Sequence, residues 1–149
     1  MVTGSRDASV YSFAARRPVA DTGRPVWWQR FRVSERAAVR LFCLPYAGGS
    51  AHVFADWVPR LPAQVDVLGL QLPGRGVRMA DPPVSDRKIL MDAILAEMLT
   101  LTDRPFVLFG HIMGARIAYE LSARLRDMGR QMPSALLVSA ARPPHLPRT

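Results

Sequence analysis

Gly110-His111-Ile112-Met113-Gly114 stands directly between a short apolar run and the start of a helical stripe. A strand that turns abruptly into a helix between two glycines is the setting of a nucleophile elbow, normally Gly-x-Ser-x-Gly. The glycines let strand and helix approach closely, and the central side chain is left exposed above the sheet. Here the central residue is Ile112, a hydrocarbon with no oxygen to attack and no proton to give up. A β-branched residue at the positive φ of such a turn is an outlier that costs on the order of 1–3 kcal/mol. The expectation is either strain at Ile112 or a relaxed turn that displaces the N–H of Met113.

Other side chains with reactive groups carry less. His111 adjoins the turn, but sequence adjacency gives no base-to-nucleophile geometry, and packing or hydrogen bonding is the expected role. His52 follows the Gly48-Gly49 pair and reads as surface or core, and His145 lies in a Pro-rich tail. Cys43, in mid-strand, reads as a buried small hydrophobe rather than a nucleophile. One cysteine and three scattered histidines give no metal-ligand spacing, so no metal is expected. Arg75 and Arg78 sit in the loop Pro73-Gly74-Arg75-Gly76-Val77-Arg78. They divide evenly between meeting a phosphate or an acidic partner protein and being solvated loop residues or partners for Asp81.

The elements that must position these groups follow from patterning. Trp27, Trp28, Phe31 and Val33 suggest an extended segment, and Val39 to Leu44 a buried strand closed by Pro45 and the two glycines. Ala51 to Leu61 reads as a helix capped by Ser50, and Val65 to Leu70 as a second buried strand. A longer helix is expected from about Ser85 to Thr102, capped by Ser85, with Leu90, Ile94, Met98 and Leu101 on its buried stripe. Phe106 to Phe109 is a third strand. Ala118, Leu121, Leu125 and Met128 mark a further helix stopped by Gly129, and Ala135 to Val138 a fourth strand. Alternating strands and helices predict an α/β fold with a mainly parallel sheet and helices on both faces.

Composition bounds the rest. The chain has 149 residues, 49% hydrophobic and 21% charged, close to globular averages. No apolar run approaches the ~18 residues needed to span a bilayer, so no membrane partner is expected. Residues 1–25 read as a flexible, basic leader, with 26–149 as the folded part. Arg6, Asp7, Arg16, Arg17 and Asp21 interrupt the first residues, which therefore do not read as a secretory signal. With a single cysteine, this predicts a cytoplasmic protein. The formal net charge is +8, with +5 of it in residues 1–40. No interleaved aromatics or binding motif accompany that excess, so a nucleic-acid partner is not expected.

From about Trp27 onward the chain resembles the type II thioesterases of the α/β-hydrolase superfamily, which serve polyketide synthases and nonribosomal peptide synthetases. The resemblance is carried by Leu-Phe-Cys-Leu-Pro-Tyr-Ala-Gly-Gly-Ser at 41–50, Leu-Pro-Gly-Arg at 72–75 and Pro-Phe-Val-Leu-Phe-Gly-His at 105–111. Met-Gly-Ala at 113–115, Tyr-Glu-Leu at 119–121 and Leu-Val-Ser at 137–139 extend it in the same order. It implies hydrolysis of acyl thioesters held on the phosphopantetheine arm of an acyl or peptidyl carrier protein, with no cofactor of the chain's own. It also implies oxyanion-hole N–H groups from Ala47 and Met113 and a serine at the position of Ile112. Tyr46 reads either as a wall of the acyl pocket or as an aromatic at the edge of the core.

By the same resemblance, residues 26–149 correspond to the N-terminal portion of the domain. The lid and the acid and histidine of the triad are expected further downstream than Thr149. Whether the chain is itself an enzyme is left open. The first expectation is a thioesterase relative that is catalytically inactive. The alternatives are a non-catalytic module that binds carrier proteins, or a non-functional fragment whose last strand is an exposed edge that invites self-association.

Overall fold

In a computed structural model, residues 26–143 and 145–146 are described; the expected leader at 1–25 lies outside the described residues. Five strands form one sheet: β1 (Trp28–Arg32), β2 (Val39–Leu44), β3 (Val65–Leu70), β4 (Phe106–His111) and β5 (Ala135–Ser139). Their spatial order is β1-β3-β2-β4-β5. β3, β2, β4 and β5 run parallel, and β1 is antiparallel to β3 at one edge. The α/β architecture with a mainly parallel sheet is as expected.

Two α-helices, α1 (Arg87–Leu99) and α2 (Met113–Asp127), share one face of the sheet. Phe42, Leu44, Phe106 and Leu108 point toward that face and join Met91, Ile94, Met98, Leu121 and Leu125 in the main core. Trp28 packs edge-on against Phe42 at 4.9 Å, and Phe42 against Phe106 at 5.8 Å. The opposite face is covered differently. Residues Ala51–Arg60 wind as 3₁₀ turns rather than the expected α-helix. Pro59 removes an i→i−4 donor. Ser50 makes no side-chain cap, and the Ala51 N–H donates to Gln71 Oε1 at 3.1 Å. Phe54 from this segment packs with Leu41, Cys43 and Val67 in a second, smaller cluster. Helical cover on both faces is therefore realised as α-helices on one and 3₁₀ turns on the other.

Three finer expectations change. The cap of α1 is Asp86, not Ser85: its carboxylate accepts the Ile89 N–H at 3.0 Å. The buried stripe of α1 runs through Met91, Ile94, Leu95 and Met98, while Leu90 is only partly buried. Met128 is exposed beyond the end of α2. Gly129 stops that helix as expected. At φ +64 it lets its own N–H reach Arg126 O at 3.0 Å and the Arg130 N–H reach Leu125 O at 2.9 Å.

At the amino end of the sheet, Arg40 and Asp66 are register partners on β2 and β3 and form a buried ion pair at 3.0 Å. Asp66 also accepts the Ser34 N–H, and Arg40 reaches Leu101 O and Asp103. Both carboxylate oxygens of Asp66 and the Nε and Nη1 of Arg40 are hydrogen-bonded, as a buried charge requires. Among the described residues, no helix is long and apolar enough to cross a membrane.

Candidate functional site

The parallel strands end together, and the loops that follow them gather at that edge, where α/β sheets place their sites. The sharpest of these turns joins β4 to α2. Ile112 occupies it at φ 52°, ψ −107°, and is the N-cap of α2. Positive φ at a β-branched residue is a strained conformation. Of the two expectations for this turn, strain with the sharp turn kept is the one observed. Ile112 is 47% exposed, so the side chain stands in the open above the sheet edge.

The flanking glycines are required by space, not by φ. A Cβ on Gly110 would meet Gly114 O at 2.4 Å, and one on Gly114 would meet Leu44 O at 2.0 Å. These contacts bring the turn hard against the end of β2 and the loop after it. Tyr46, in that loop, contacts the His111 ring edge-on at 6.1 Å. Ala47 follows, exposed, in a turn closed by the Gly49 N–H donating to Tyr46 O at 2.9 Å. Gly48 at φ +83 supplies the left-handed position of that turn. Met113 is the first residue of α2, so its N–H is one of those that a helix leaves without an intrahelical acceptor. The structure thus gathers Ala47, Ile112 and Met113 at one edge.

The other candidates separate. His111 Nδ1 hydrogen-bonds Ser139 Oγ at 3.0 Å, across the β4–β5 pair. His52 is exposed beside Phe31, and His145 is exposed in a turn. Cys43 is fully buried, and burial pushes its thiol pKa up, which keeps it protonated and unreactive. Among the described residues, no cluster of three or more His, Cys, Asp or Glu could hold a metal ion.

Arg78 takes the local role weighed for it. It is buried, pairs with Asp81 at 2.7 Å and lies over the Trp27 ring at 4.4 Å. Arg75 does not. It is exposed, and among the described residues its side chain donates only to its neighbour Gly74 O at 3.1 Å.

Two residues at this edge carried no role in the sequence reading. Ser139 accepts the Ile112 N–H through its carbonyl at 2.9 Å, besides its side-chain bond to His111. Gln71 is buried at the end of β3 and donates to Leu72 O and Arg75 O while accepting from Ala51. The one available signal for Gln71 was a polar residue directly after a buried strand. A third, Glu97 of α1, accepts the Trp27 and Trp28 N–H groups at 2.8 and 2.6 Å. Burial raises its pKa, opposed by those two bonds and by Arg30 and Arg78.

Residues 39–149 match the thioesterase domain family. The chain is 36% identical over 121 residues to the gramicidin S biosynthesis protein GrsT of Aneurinibacillus migulanus, covering 81% of this chain and 47% of that protein. It is 40% identical over 129 residues to the probable cadicidin biosynthesis thioesterase of Streptomyces griseus, covering 87% and 36%. Among solved structures, the type II thioesterase BorB from the borrelidin biosynthetic cluster superposes with a TM-score of 0.75 at 38% identity, covering 86% of this chain and 52% of that one. The chain spans about half the length, or less, of these relatives.

Proposed function

The chain belongs to the thioesterase domain family, and we propose that its sheet-edge site takes up acyl thioesters without cleaving them. The ligand in this reading is an acyl group on the phosphopantetheine arm of a carrier protein in polyketide or nonribosomal peptide assembly. The relatives support the ligand class, because they are named as biosynthesis proteins and thioesterases, and similar solved structures come from NRPS/PKS pathways. The absence of cleavage rests on one observation. The exposed residue at the strand-to-helix turn, Ile112, has no group that can attack a carbonyl carbon.

Acyl transfer from a thioester needs a nucleophile, a base for its proton, and donors for the oxyanion. In this reading the N–H groups of Ala47 and Met113 face the thioester oxygen, and Tyr46 walls the acyl chain. The nucleophile is missing. Loss of that group alone costs about 10⁶ in turnover in a triad hydrolase. The reading calls for no cofactor resident in the chain. Titration with a hydrolysis-resistant acyl carrier protein tests uptake, and thiol release from the natural thioester tests cleavage. Saturable binding without thiol release supports the reading; no binding overturns it.

A second reading, self-association, is favoured by β5. This edge strand contains no charge and leaves Leu137 and Val138 half exposed, a template for pairing with another chain. Sedimentation of the 149-residue chain tests it, and a monomer at all soluble concentrations rejects it.

A further inference from the structure

The loop after β3 is tied by hydrogen bonds on both sides of Arg75, which among the described residues has no carboxylate partner. Gln71 Nε2 donates to Arg75 O at 2.8 Å, and its Oε1 accepts from Ala51, joining this loop to the start of the 3₁₀ segment. The Gly74 N–H donates to Arg78 O and the Arg78 N–H to Arg75 O, both at 2.8 Å. Gly76 at φ +48 packs so tightly that a Cβ there would meet Gln71 Oε1 at 2.7 Å and Ser50 Cβ at 3.0 Å. The backbone of Arg75 is therefore pinned on both sides against the loop that carries Ala47. Its side chain is not. Among the described residues, Arg75 has no carboxylate partner, whereas Arg78 three residues on is neutralised by Asp81.

The residues beside it are apolar and open. Val77 is 65% exposed and Met79 68%. A pinned backbone spares the entropy that ordering a loop on binding would cost. A guanidinium next to exposed apolar groups suits a ligand with an anionic head and a chain. β3 is separated from β4 by β2, so the loop that carries Arg75 leaves the sheet two strands to one side of the turn at Ile112. In a phosphopantetheine arm the phosphate is many bonds from the thioester, so a phosphate subsite belongs at such an offset and not at the turn itself.

We propose that Arg75 is the phosphate-binding residue of this site, taking the phosphodiester of the carrier arm while Val77 and Met79 line its approach. The proposal rests on the uptake reading above and adds the residue that recognises the arm. Hydrolysis-resistant acyl amides of pantetheine and of 4′-phosphopantetheine differ only in the phosphate. The wild-type chain binds the phosphorylated ligand roughly tenfold tighter, the worth of one charge-assisted contact. Arg75→Gln removes that preference while leaving affinity for the pantetheine amide unchanged, and Arg75→Lys keeps part of it. Arg75 is exposed, so an unchanged thermal melt confirms that the variants fold. Equal wild-type affinity for both ligands, or a preference that survives Arg75→Gln, overturns the proposal and leaves uptake standing. Loss of carrier-protein binding in Arg75→Gln with the small-ligand preference intact also overturns it, placing the contact on a carrier carboxylate. Failure of the wild-type chain to bind either amide or the acyl carrier removes the uptake reading and the proposal with it.

Discussion

The backbone N–H of Ile112 donates to the carbonyl of Ser139 at 2.9 Å, tying the strained turn after β4 to the end of β5. Ser139 also holds His111 through its hydroxyl, so two successive residues of the turn are clamped by one residue of the neighbouring strand. Ala140, next in the chain, is itself at φ 52°. The clamp explains how an isoleucine is kept at positive φ when an unconstrained chain would relax. It also makes the strain measurable.

Ile112→Gly is expected to stabilise the chain by about 1 kcal/mol, because glycine accepts positive φ freely and is a better N-cap than isoleucine. The lost side chain is half exposed and contributes little packing. Urea denaturation of the two chains measures the difference. A destabilised glycine variant would mean that Ile112 is packed rather than strained.

Gly114→Ala is expected to destabilise by about 3 kcal/mol or more, at the upper end for overpacking. Its Cβ would lie 2.0 Å from Leu44 O, a backbone atom of a central strand that cannot move aside without breaking the sheet. Gly129→Ala serves as a contrast. No atom lies within 4 Å of that Cβ, so its cost is confined to the backbone at φ +64. A Gly114→Ala chain that melted like wild type would contradict the close approach of α2 to β2.

Asp66→Ala is expected to cost about 3–5 kcal/mol, since it strands the buried Arg40 guanidinium. Asp103 stays within reach of Arg40 and softens the loss, but it is exposed and screened. The denaturant midpoint should fall with the m-value unchanged.

Glu97 gives a pH signature of defined sign. Its pKa is raised in the folded chain, chiefly by burial, so the folded state holds its proton to higher pH than the unfolded state does. Between the two pKa values the folded chain binds more protons, and stability falls as pH rises through that window, just above the usual glutamate range. Glu97→Gln keeps an acceptor for the Trp27 and Trp28 N–H groups and should flatten this slope. An unchanged pH dependence in the variant would show that Glu97 does not titrate there.

The parts of this fold legible in the sequence were those encoded locally. The apolar runs at Val39–Leu44 and Phe106–Phe109 and the two glycines around Ile112 announced buried strands and a tight strand-to-helix turn. Gly129 announced the end of α2. What escaped depended on partners far along the chain. Gln71 is an ordinary polar residue until the folded loops bring Ala51 and Arg75 against it. Two adjacent acceptors, Ser85 and Asp86, compete for one cap, and only the position of the Ile89 N–H selects the aspartate. Leu90 and Met91 differ by one position on the stripe, and the sheet face decides which is buried. The antiparallel direction of β1 has no local signal, because it is fixed by pairing with β3 some forty residues later.

The most direct test of a site that takes up thioesters without cleaving them is an incubation of an acyl carrier protein with the 149-residue chain, following complex formation and free thiol together. The account predicts a saturable complex with thiol release no faster than in buffer. It predicts the same for Ile112→Ser, because His111 is engaged by Ser139 and His52 and His145 are exposed elsewhere. Thiol release by the wild-type chain that scales with its concentration would contradict it.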